Sequence, residues 1–151
     1  MWEKVKPFWP VPLRLVLGFG LAYHGVAKIS SLTGNAIFAE VLRQLGVPLP
    51  GVMSWVVGGV EVIGALLIVA GSFVAVAAAL NAVVQVVALL LVHLPHGFNF
   101  ANVADVTAQG AQFATPGFEV NLLYLAGLAA LIIGGHGPVS LVGHLRRLAR
   151  R

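Results

Sequence analysis

The residues best suited to chemistry in this sequence are ionisable side chains set within long apolar segments. His24 and Lys28 are four residues apart, which places them on one face of a helix. Glu61 lies in the middle of a second apolar segment, where a carboxyl group must be paired with a cation or be protonated. Ionisable groups inside a membrane are costly and often mark functional sites. These three residues are therefore the candidate catalytic groups.

Further polar side chains lie at a similar depth, at the inner end of the first apolar segment, or in the loop after the third. Imidazole, amide, carboxyl and phenol groups can all hydrogen-bond a small ligand. Purely structural roles are the alternative to ligand binding. Amides such as Asn81 often join membrane helices, and Lys28 could extend toward lipid headgroups. The candidate ligand-binding residues are Arg14, Gln85, His93, His96, Asn99, Glu119, Asn121 and Tyr124.

Two of the histidines raise the question of a metal. His93 and His96 have a spacing that could hold a metal on a helix, but a proline between them disfavours helical angles before it. A metal would also need a third ligand, for example His24. The most specific form of this hypothesis is a haem held by His24 and His93. The metal candidates are therefore His24, His93 and His96.

Composition indicates the medium in which these residues lie. The 151 residues are 59% hydrophobic and 9% charged, whereas soluble domains carry about 25% charged residues. Lipid can cover so much apolar surface, but a soluble fold of this size cannot. The net charge of +4 arises mainly near the two ends, which favours a membrane surface over nucleic acid. The absence of cysteine excludes thiolate nucleophiles and iron–sulfur clusters.

Four apolar segments are each close to the roughly 20 residues that a helix needs to cross about 30 Å of hydrocarbon. Because lipid offers no partner to backbone polar groups, each segment is predicted to be helical. The predicted helices are residues 11–29, 52–70, 73–92 and 118–135 of a single domain, residues 1–151. The charged leader before the first helix has no convincing cleavage site, so a retained helix is expected.

The connections predict an all-α fold, an antiparallel four-helix bundle in the membrane. A tight glycine–serine turn makes the second and third helices antiparallel neighbours. The loop at residues 30–51 contains a short amphipathic helix with Ile37, Val41 and Leu45 on its apolar face, which is expected to lie in the membrane interface. The apolar loop at residues 93–117 is expected to fold back over the bundle.

The positions of lysine and arginine predict the orientation. In a four-helix bundle both termini lie on one side of the membrane. That side carries Lys4, Lys6, Arg14, Arg146, Arg147, Arg150 and Arg151. The other side carries Lys28 and Arg43. The positive-inside rule then puts both termini in the cytoplasm and both long loops outside the inner cell membrane. Apart from Arg14 at the inner end, the candidate residues would converge on one cavity in the outer half of the bundle.

An ordered set of short motifs covers most of the chain. The motifs are Arg14, GFGLAYHGVAK at residues 18–28, GGVE at residues 58–61 with Gly64, HLPHGF at residues 93–98, EVNLLY at residues 119–124 and GGHGPVSL at residues 134–141. Together they resemble the DoxX family of small integral membrane proteins. One departure is Val142, because family tails often carry an acidic residue at that point.

The resemblance implies a four-helix bundle with a link to respiratory or redox chemistry. Relatives include a subunit of a thiosulfate:quinone oxidoreductase and a component of a membrane complex for defence against oxidative stress. On this likeness, the polar positions of the family fall on Arg14, Lys28, Glu61, His93 and Glu119.

Two classes of function fit these residues. In the first, the chain is a quinone-interacting oxidoreductase subunit: cavity donors bind the quinone carbonyls, Glu61 or His24 exchanges protons, and a protein partner supplies electrons or substrate. In the second, the chain is not an enzyme but binds or transports a small molecule, or scaffolds a partner complex. A haem- or metal-binding redox protein is a third, less favoured reading. Glycine-bearing helix faces are also compatible with a homodimer.

Overall fold

The computed structural model describes residues 2–141, and most of them are helical. The helices are α1 (Trp2–Val5), α2 (Pro10–Ile29), α3 (Leu32–Gln44), α4 (Pro50–Ala70), α5 (Val74–Ala88) and α6 (Glu119–Gly134). A 3₁₀ turn (Lys6–Phe8) joins α1 to α2. The basic residues Arg146, Arg147, Arg150 and Arg151 of the predicted inner side, and the departure at Val142, lie outside the described residues.

The four apolar segments that were predicted to be helical are helical in the structure. Helices α2, α4 and α6 begin and end within two residues of the predicted bounds. Helix α5 differs, because it continues through a π-helical segment (Leu89–His93) and a 3₁₀ turn (Leu94–His96). The helical path therefore reaches His96 rather than residue 92. The predominantly helical class is confirmed.

Residue types at the helix ends explain where α2 and α4 begin and where α4 ends. Pro10 and Pro50 are the first residues of these two helices, where a missing N–H breaks no helical hydrogen bond. Gly71 follows α4 in the left-handed conformation with a φ of 68°, which glycine adopts without a Cβ clash. Asn81 of α5 lies against Gly64 of α4, so these two helices pack antiparallel across the short turn.

The apolar helices pack around one core. Helix α2 contacts α4 and α6, while α5 contacts α4 and α6. The core residues are Leu17, Leu21, Ala65, Ile68, Val74, Ala77, Ala78, Leu128 and Leu131. Glycines allow the backbones to approach closely, because a Cβ added at Gly18 would overlap Val69 and one added at Gly58 would overlap Ile29.

Two helical stretches, Pro50–Ala70 and Val74–His96, are each long and apolar enough to cross a membrane. The stretches Trp2–Ile29 and Leu32–Gln44 meet this requirement only as a pair, and they are bent by 98° relative to each other. Helix α6 is apolar but shorter. Large apolar side chains cover the outer surface of the packed helices. This surface suits lipid and not water.

Helix α3 runs nearly perpendicular to α2, at the 98° bend. It buries Asn35 and Leu42 against the rest of the protein. The predicted apolar face points elsewhere, since Ile37 is 63% exposed and Val41 is 41% exposed. An exposed apolar face on a helix perpendicular to its neighbour suits a position in the membrane interface.

A charged side of α3 lies beside this apolar face. Arg43 and Gln44 donate hydrogen bonds to the Glu40 carboxylate, at 2.6–2.7 Å from Arg43 and 3.0 Å from Gln44. These bonds lower the pKa of Glu40 to about 2. The carboxylate is therefore charged at neutral pH, and this side of α3 requires water or lipid headgroups.

The segment at residues 93–117 was predicted to be a loop, and this prediction was wrong in part. Strand β1 (Val103–Thr107) pairs antiparallel with β2 (Gly110–Phe113), with an irregular register between Val103 and Asp105. The fold is therefore not purely α-helical. The strands are short and solvent-exposed on both faces, so they carry no clear alternation of buried and exposed residues from which a hairpin could be predicted.

Candidate functional site

A cavity of about 220 Å³ lies between the packed helices and the stem of the β-hairpin. We use this term for the two segments that flank the strands, residues 97–102 and 114–118, which are joined by backbone hydrogen bonds. It is lined by His24 and Lys28 of α2, Glu61 of α4, Gln85, Ala88 and His93 of α5 and its continuation, Val120, Asn121 and Tyr124 of α6, and Phe100, Pro116 and Gly117 of the hairpin segment. Pockets for drug-sized ligands occupy roughly 300–1,000 Å³. This cavity therefore suits a small molecule or the headgroup of a larger one.

An ion pair between Lys28 and Glu61 forms one wall of the cavity. The Lys28 Nζ lies 2.5 Å from the Glu61 Oε2. The Glu61 side chain is 3% exposed and that of Lys28 is 21% exposed. Gly25 of α2 lies directly against the Glu61 Cβ, so the two helices are close enough for the pair to form. Lys28 is therefore the cationic partner of the buried Glu61 side chain.

Two amides, one from α5 and one from α6, form another part of the cavity lining. Asn121 Nδ2 of α6 donates a hydrogen bond to Gln85 Oε1 of α5 at 3.0 Å, and both residues are buried. This bond uses one N–H of Asn121 and one lone pair of Gln85. Each amide has further donor and acceptor positions that can serve a ligand.

His93 connects the helical wall to the hairpin stem. Its Nδ1 lies 2.8 Å from the Pro116 carbonyl oxygen. A carbonyl oxygen only accepts, so Nδ1 must carry the proton and the neutral ring keeps Nε2 as an acceptor. His93 ends the π-helical segment Leu89–His93, and such segments are frequent at functional sites.

His24 and Tyr124 complete the polar lining. His24 is exposed at the rim of the cavity, where its ring packs edge-on against Tyr23 with the centroids 5.8 Å apart. The Tyr124 hydroxyl lies against Gly20, and a Cβ at that position would overlap it. Gly20 therefore provides the space in which the Tyr124 side chain lies.

This close approach predicts different results for alanine at two helical glycines. Gly20→Ala should lower stability by about 1–2 kcal/mol relative to Gly59→Ala, because the new methyl group displaces Tyr124. Nothing lies within 4 Å of a Cβ added at Gly59, so that variant gains only the helical preference of alanine. Thermal unfolding of both variants in the same detergent measures the difference. Equal melting temperatures would contradict the position of Tyr124.

Seven of the eleven predicted site residues line the cavity. They are His24, Lys28, Glu61, Gln85, His93, Asn121 and Tyr124. Among the lining residues that were not predicted, Phe100 lies in the apolar segment at residues 93–117, which was predicted to fold back over the bundle. Pro116 and Gly117 could not be recognised from their side chains. Pro116 contributes its backbone carbonyl oxygen, and Gly117 allows its backbone to lie close to that of Gly97.

Arg14 was predicted to bind ligand, but it does not lie near the cavity. It precedes His24 by ten residues on α2, which corresponds to about 15 Å along the helix axis. Its Nε and Nη2 donate to the carbonyl oxygens of Ile68 and Val69 at 2.7 and 2.6 Å. Its Nη1 donates to the carbonyl oxygens of His136 and Val139, both at 2.7 Å. Arg14 thus joins the end of α4 to the segment after α6, and it does not reach the cavity.

Three other predicted ligands do not line the cavity: His96 ends the 3₁₀ turn after α5, Asn99 lies between that turn and β1, and Glu119 begins α6. Glu119 Oε2 accepts from the Phe100 amide at 3.1 Å, and Asn99 Oδ1 accepts from the Ala101 amide at 3.0 Å. His96 is exposed. The Glu119 carboxylate and the Asn99 side-chain amide therefore fix the backbone at Phe100, a residue that lines the cavity.

The candidate metal ligands do not form a complete set. Within residues 2–141, no three His, Asp or Glu side chains are grouped so that they could hold one metal ion. His24 and His93 line the cavity, whereas His96 lies outside it.

These features define a small, predominantly helical membrane protein with a polar cavity beside a buried ion pair. The chain belongs to the DoxX family, whose model matches residues 10–94, more than half of the chain. The match includes the positions of His24, Lys28, Glu61, Gln85 and His93, whereas α6 lies beyond it. No curated protein and no solved structure matches the chain.

Proposed function

We propose that the chain is a quinone-interacting subunit of a membrane oxidoreductase and that its cavity binds the quinone headgroup. The observation that carries this proposal is the arrangement of the lining groups. An acid–cation pair, Lys28 and Glu61, stands on one wall, and amide and imidazole groups stand on the other walls. The apolar outer surfaces of the helices suit the isoprenoid tail in the surrounding lipid.

The chemistry of the lining groups matches the needs of a quinone. Reduction to the quinol takes two electrons and two protons, and the protons are added at the two carbonyl oxygens on opposite sides of the ring. Lys28 and the amide of Asn121 can each donate a hydrogen bond to one of these oxygens. Glu61 and His93 are able to exchange protons with the ligand. A protein partner with its own redox centre would supply the electrons.

We further propose that α2, α4, α5 and α6 all cross the inner cell membrane as an antiparallel bundle, with both termini in the cytoplasm. The excess of lysine and arginine near the termini supports this orientation. Helix α6 has 16 residues and spans about 24 Å, a length that a locally thinned bilayer accommodates. The cavity would then open on the outer side, where the partner protein would have to approach.

Quinone binding can be tested on protein extracted gently from its own membrane. Native mass spectrometry should detect a quinone in stoichiometric amount, and titration with a short-tailed quinone analogue should give saturable binding. Glu61→Gln should weaken this binding about tenfold, a change of about 1.4 kcal/mol. Glu40→Gln is the matched control, because it neutralises an exposed carboxylate on α3.

Each alternative predicts a different result of this measurement. A chain that carries only lipid and does not bind the analogue would overturn the proposal. A haem or metal mass would instead support the third reading, in which His24 and His93 are ligands. Binding of the analogue that is identical in Glu61→Gln and in wild type would remove Glu61 from the site.

A second candidate function is a non-enzymatic membrane protein that scaffolds a partner complex or passes a small molecule. The β-hairpin is the observation that favours it. Val103, Val106 and Phe113 are exposed on this hairpin, although isolated two-stranded hairpins are marginally stable in water. A partner protein that covers these side chains would stabilise the hairpin. This function requires no bound redox group, so the same mass measurement distinguishes it.

A further inference from the structure

We propose that α3 positions Lys28, and that Phe38 and Asn35 are the positioning residues. Lys28 has two states available: it can pair inward with Glu61, or it can extend outward to lipid headgroups. Contacts from α3 favour the inward state. The consequence for ligand chemistry rests on the proposed function, whereas the geometry that carries the inference does not.

The first contact is made by an aromatic ring. The Lys28 Nζ lies 5.1 Å from the centroid of the Phe38 ring, within the range of a cation–π interaction. The same nitrogen is bonded to the Glu61 carboxylate. The ammonium group therefore has an anion and an aromatic ring as neighbours, and the ring comes from a different helix.

The second set of contacts fixes α3 itself. Asn35 Nδ2 donates to the Lys28 carbonyl oxygen at 3.3 Å, and Asn35 Oδ1 accepts from Ser54 Oγ at 3.0 Å. Asn35 is 5% exposed and Ser54 is fully buried. One amide thus joins the end of α2 to the start of α4. Phe38 follows Asn35 by three residues on the same helix, so this junction also sets the position of the ring.

The side of α3 that faces away from Lys28 is exposed, so the position of this helix could depend on the membrane around it. The side chains of Ile37 and Val41 are exposed and apolar, while Glu40 and Arg43 form an exposed ion pair beside them. A helix of this kind is held at the membrane interface by apolar burial. The depth of α3 in the interface would therefore be transmitted through Phe38 to Lys28.

Lysine reactivity measures the position of Lys28 directly. The chain contains three lysines, so modification by a water-soluble amine reagent, followed by peptide mass spectrometry, compares Lys28 with Lys4 and Lys6 in the same sample. Phe38→Leu should raise the rate at Lys28 about threefold or more, because the ring is lost while an apolar side chain remains. Rates at the two other lysines should not change.

Three further variants complete the experiment. Phe38→Tyr keeps the ring and should behave as wild type. Ser54→Ala removes the bond that holds Asn35 and should also raise the rate at Lys28, which provides a second test where Phe38→Leu does not fold. Ile37→Leu lies on the exposed face and serves as the matched control. Wild-type rates at Lys28 in both Phe38→Leu and Ser54→Ala would overturn the inference.

Adding a short-tailed quinone analogue separates this inference from the proposed function. Protection of Lys28 by the analogue in the wild type supports quinone binding. If the analogue gives no protection but Phe38→Leu still raises the rate, the proposed function fails and the positioning role of α3 stands. If the analogue protects Lys28 but neither α3 variant changes its rate, the positioning role alone fails.

Discussion

Replacing Lys28 by methionine is expected to destabilise the protein by about 3 kcal/mol, because the variant leaves a buried carboxylate without its cation. The Glu61 side chain is almost completely buried, and its partner lies 2.5 Å away. In the variant, Glu61 must either remain charged in a poor solvent or take up a proton. Reversible unfolding by sodium dodecyl sulfate in mixed micelles measures the loss.

A double variant separates the stability of the pair from its role in binding. Lys28→Met combined with Glu61→Met should recover most of the lost stability, since a matched apolar pair is often as stable as a buried ion pair. It should not recover binding of the quinone analogue. Arg43→Met is the control, because it breaks an exposed ion pair and should change stability little. Wild-type stability in Lys28→Met alone would contradict the observed pairing.

Arg14→Met is expected to be the most damaging single change at the other end of the protein. The guanidinium group donates four hydrogen bonds to backbone carbonyl oxygens and is almost completely buried. Hydrogen bonds to charged groups each contribute about 1.5–3 kcal/mol, and the methionine side chain avoids the desolvation cost of the buried guanidinium, so the net loss should be on the order of 4 kcal/mol or more. Arg14→Lys should also lose stability, because an ammonium group cannot match the spread of donors of a guanidinium.

The same variants distinguish a structural from a ligand-binding role for Arg14. Thermal unfolding should show a large loss for both Arg14→Met and Arg14→Lys, with Arg43→Lys as an exposed control. Folded Arg14→Lys protein should bind the quinone analogue with wild-type affinity, since Arg14 does not line the cavity. Normal stability together with weakened binding would instead restore the sequence-based expectation.

The four apolar helices and most of the polar residues that line the cavity could be predicted from the sequence, because both follow from the residue types within each segment. Glu61 lies on the same face of α4 as Gly58 and Gly64, the glycines at which that helix packs closely against its neighbours. Residues that hold backbone groups were harder to recognise. The partners of Arg14 and His93 are backbone carbonyl oxygens, which every residue carries, so no pattern of side chains in the sequence predicts these contacts.

The amphipathic helix illustrates the limit of a periodic pattern. Periodicity predicted α3 and its apolar face through Ile37 and Val41. The sequence also predicted that this face lies in the membrane interface, but periodicity could not show how the helix is held against the rest of the protein. The answer came from the 98° bend and from Asn35, a polar residue whose buried amide has partners on two other helices.

The sequence by itself determined that this is a helical membrane protein, because composition and the length of apolar segments act through each segment alone. The family was indicated by the ordered set of motifs, and the DoxX family model matches residues 10–94. It also identified most of the polar groups that line the cavity. Only the tertiary structure decided that Lys28 pairs with Glu61, that Arg14 joins α4 to the segment after α6, and that residues flanking a β-hairpin border the cavity. Those contacts join residues far apart in the chain, so they depend on how the helices pack.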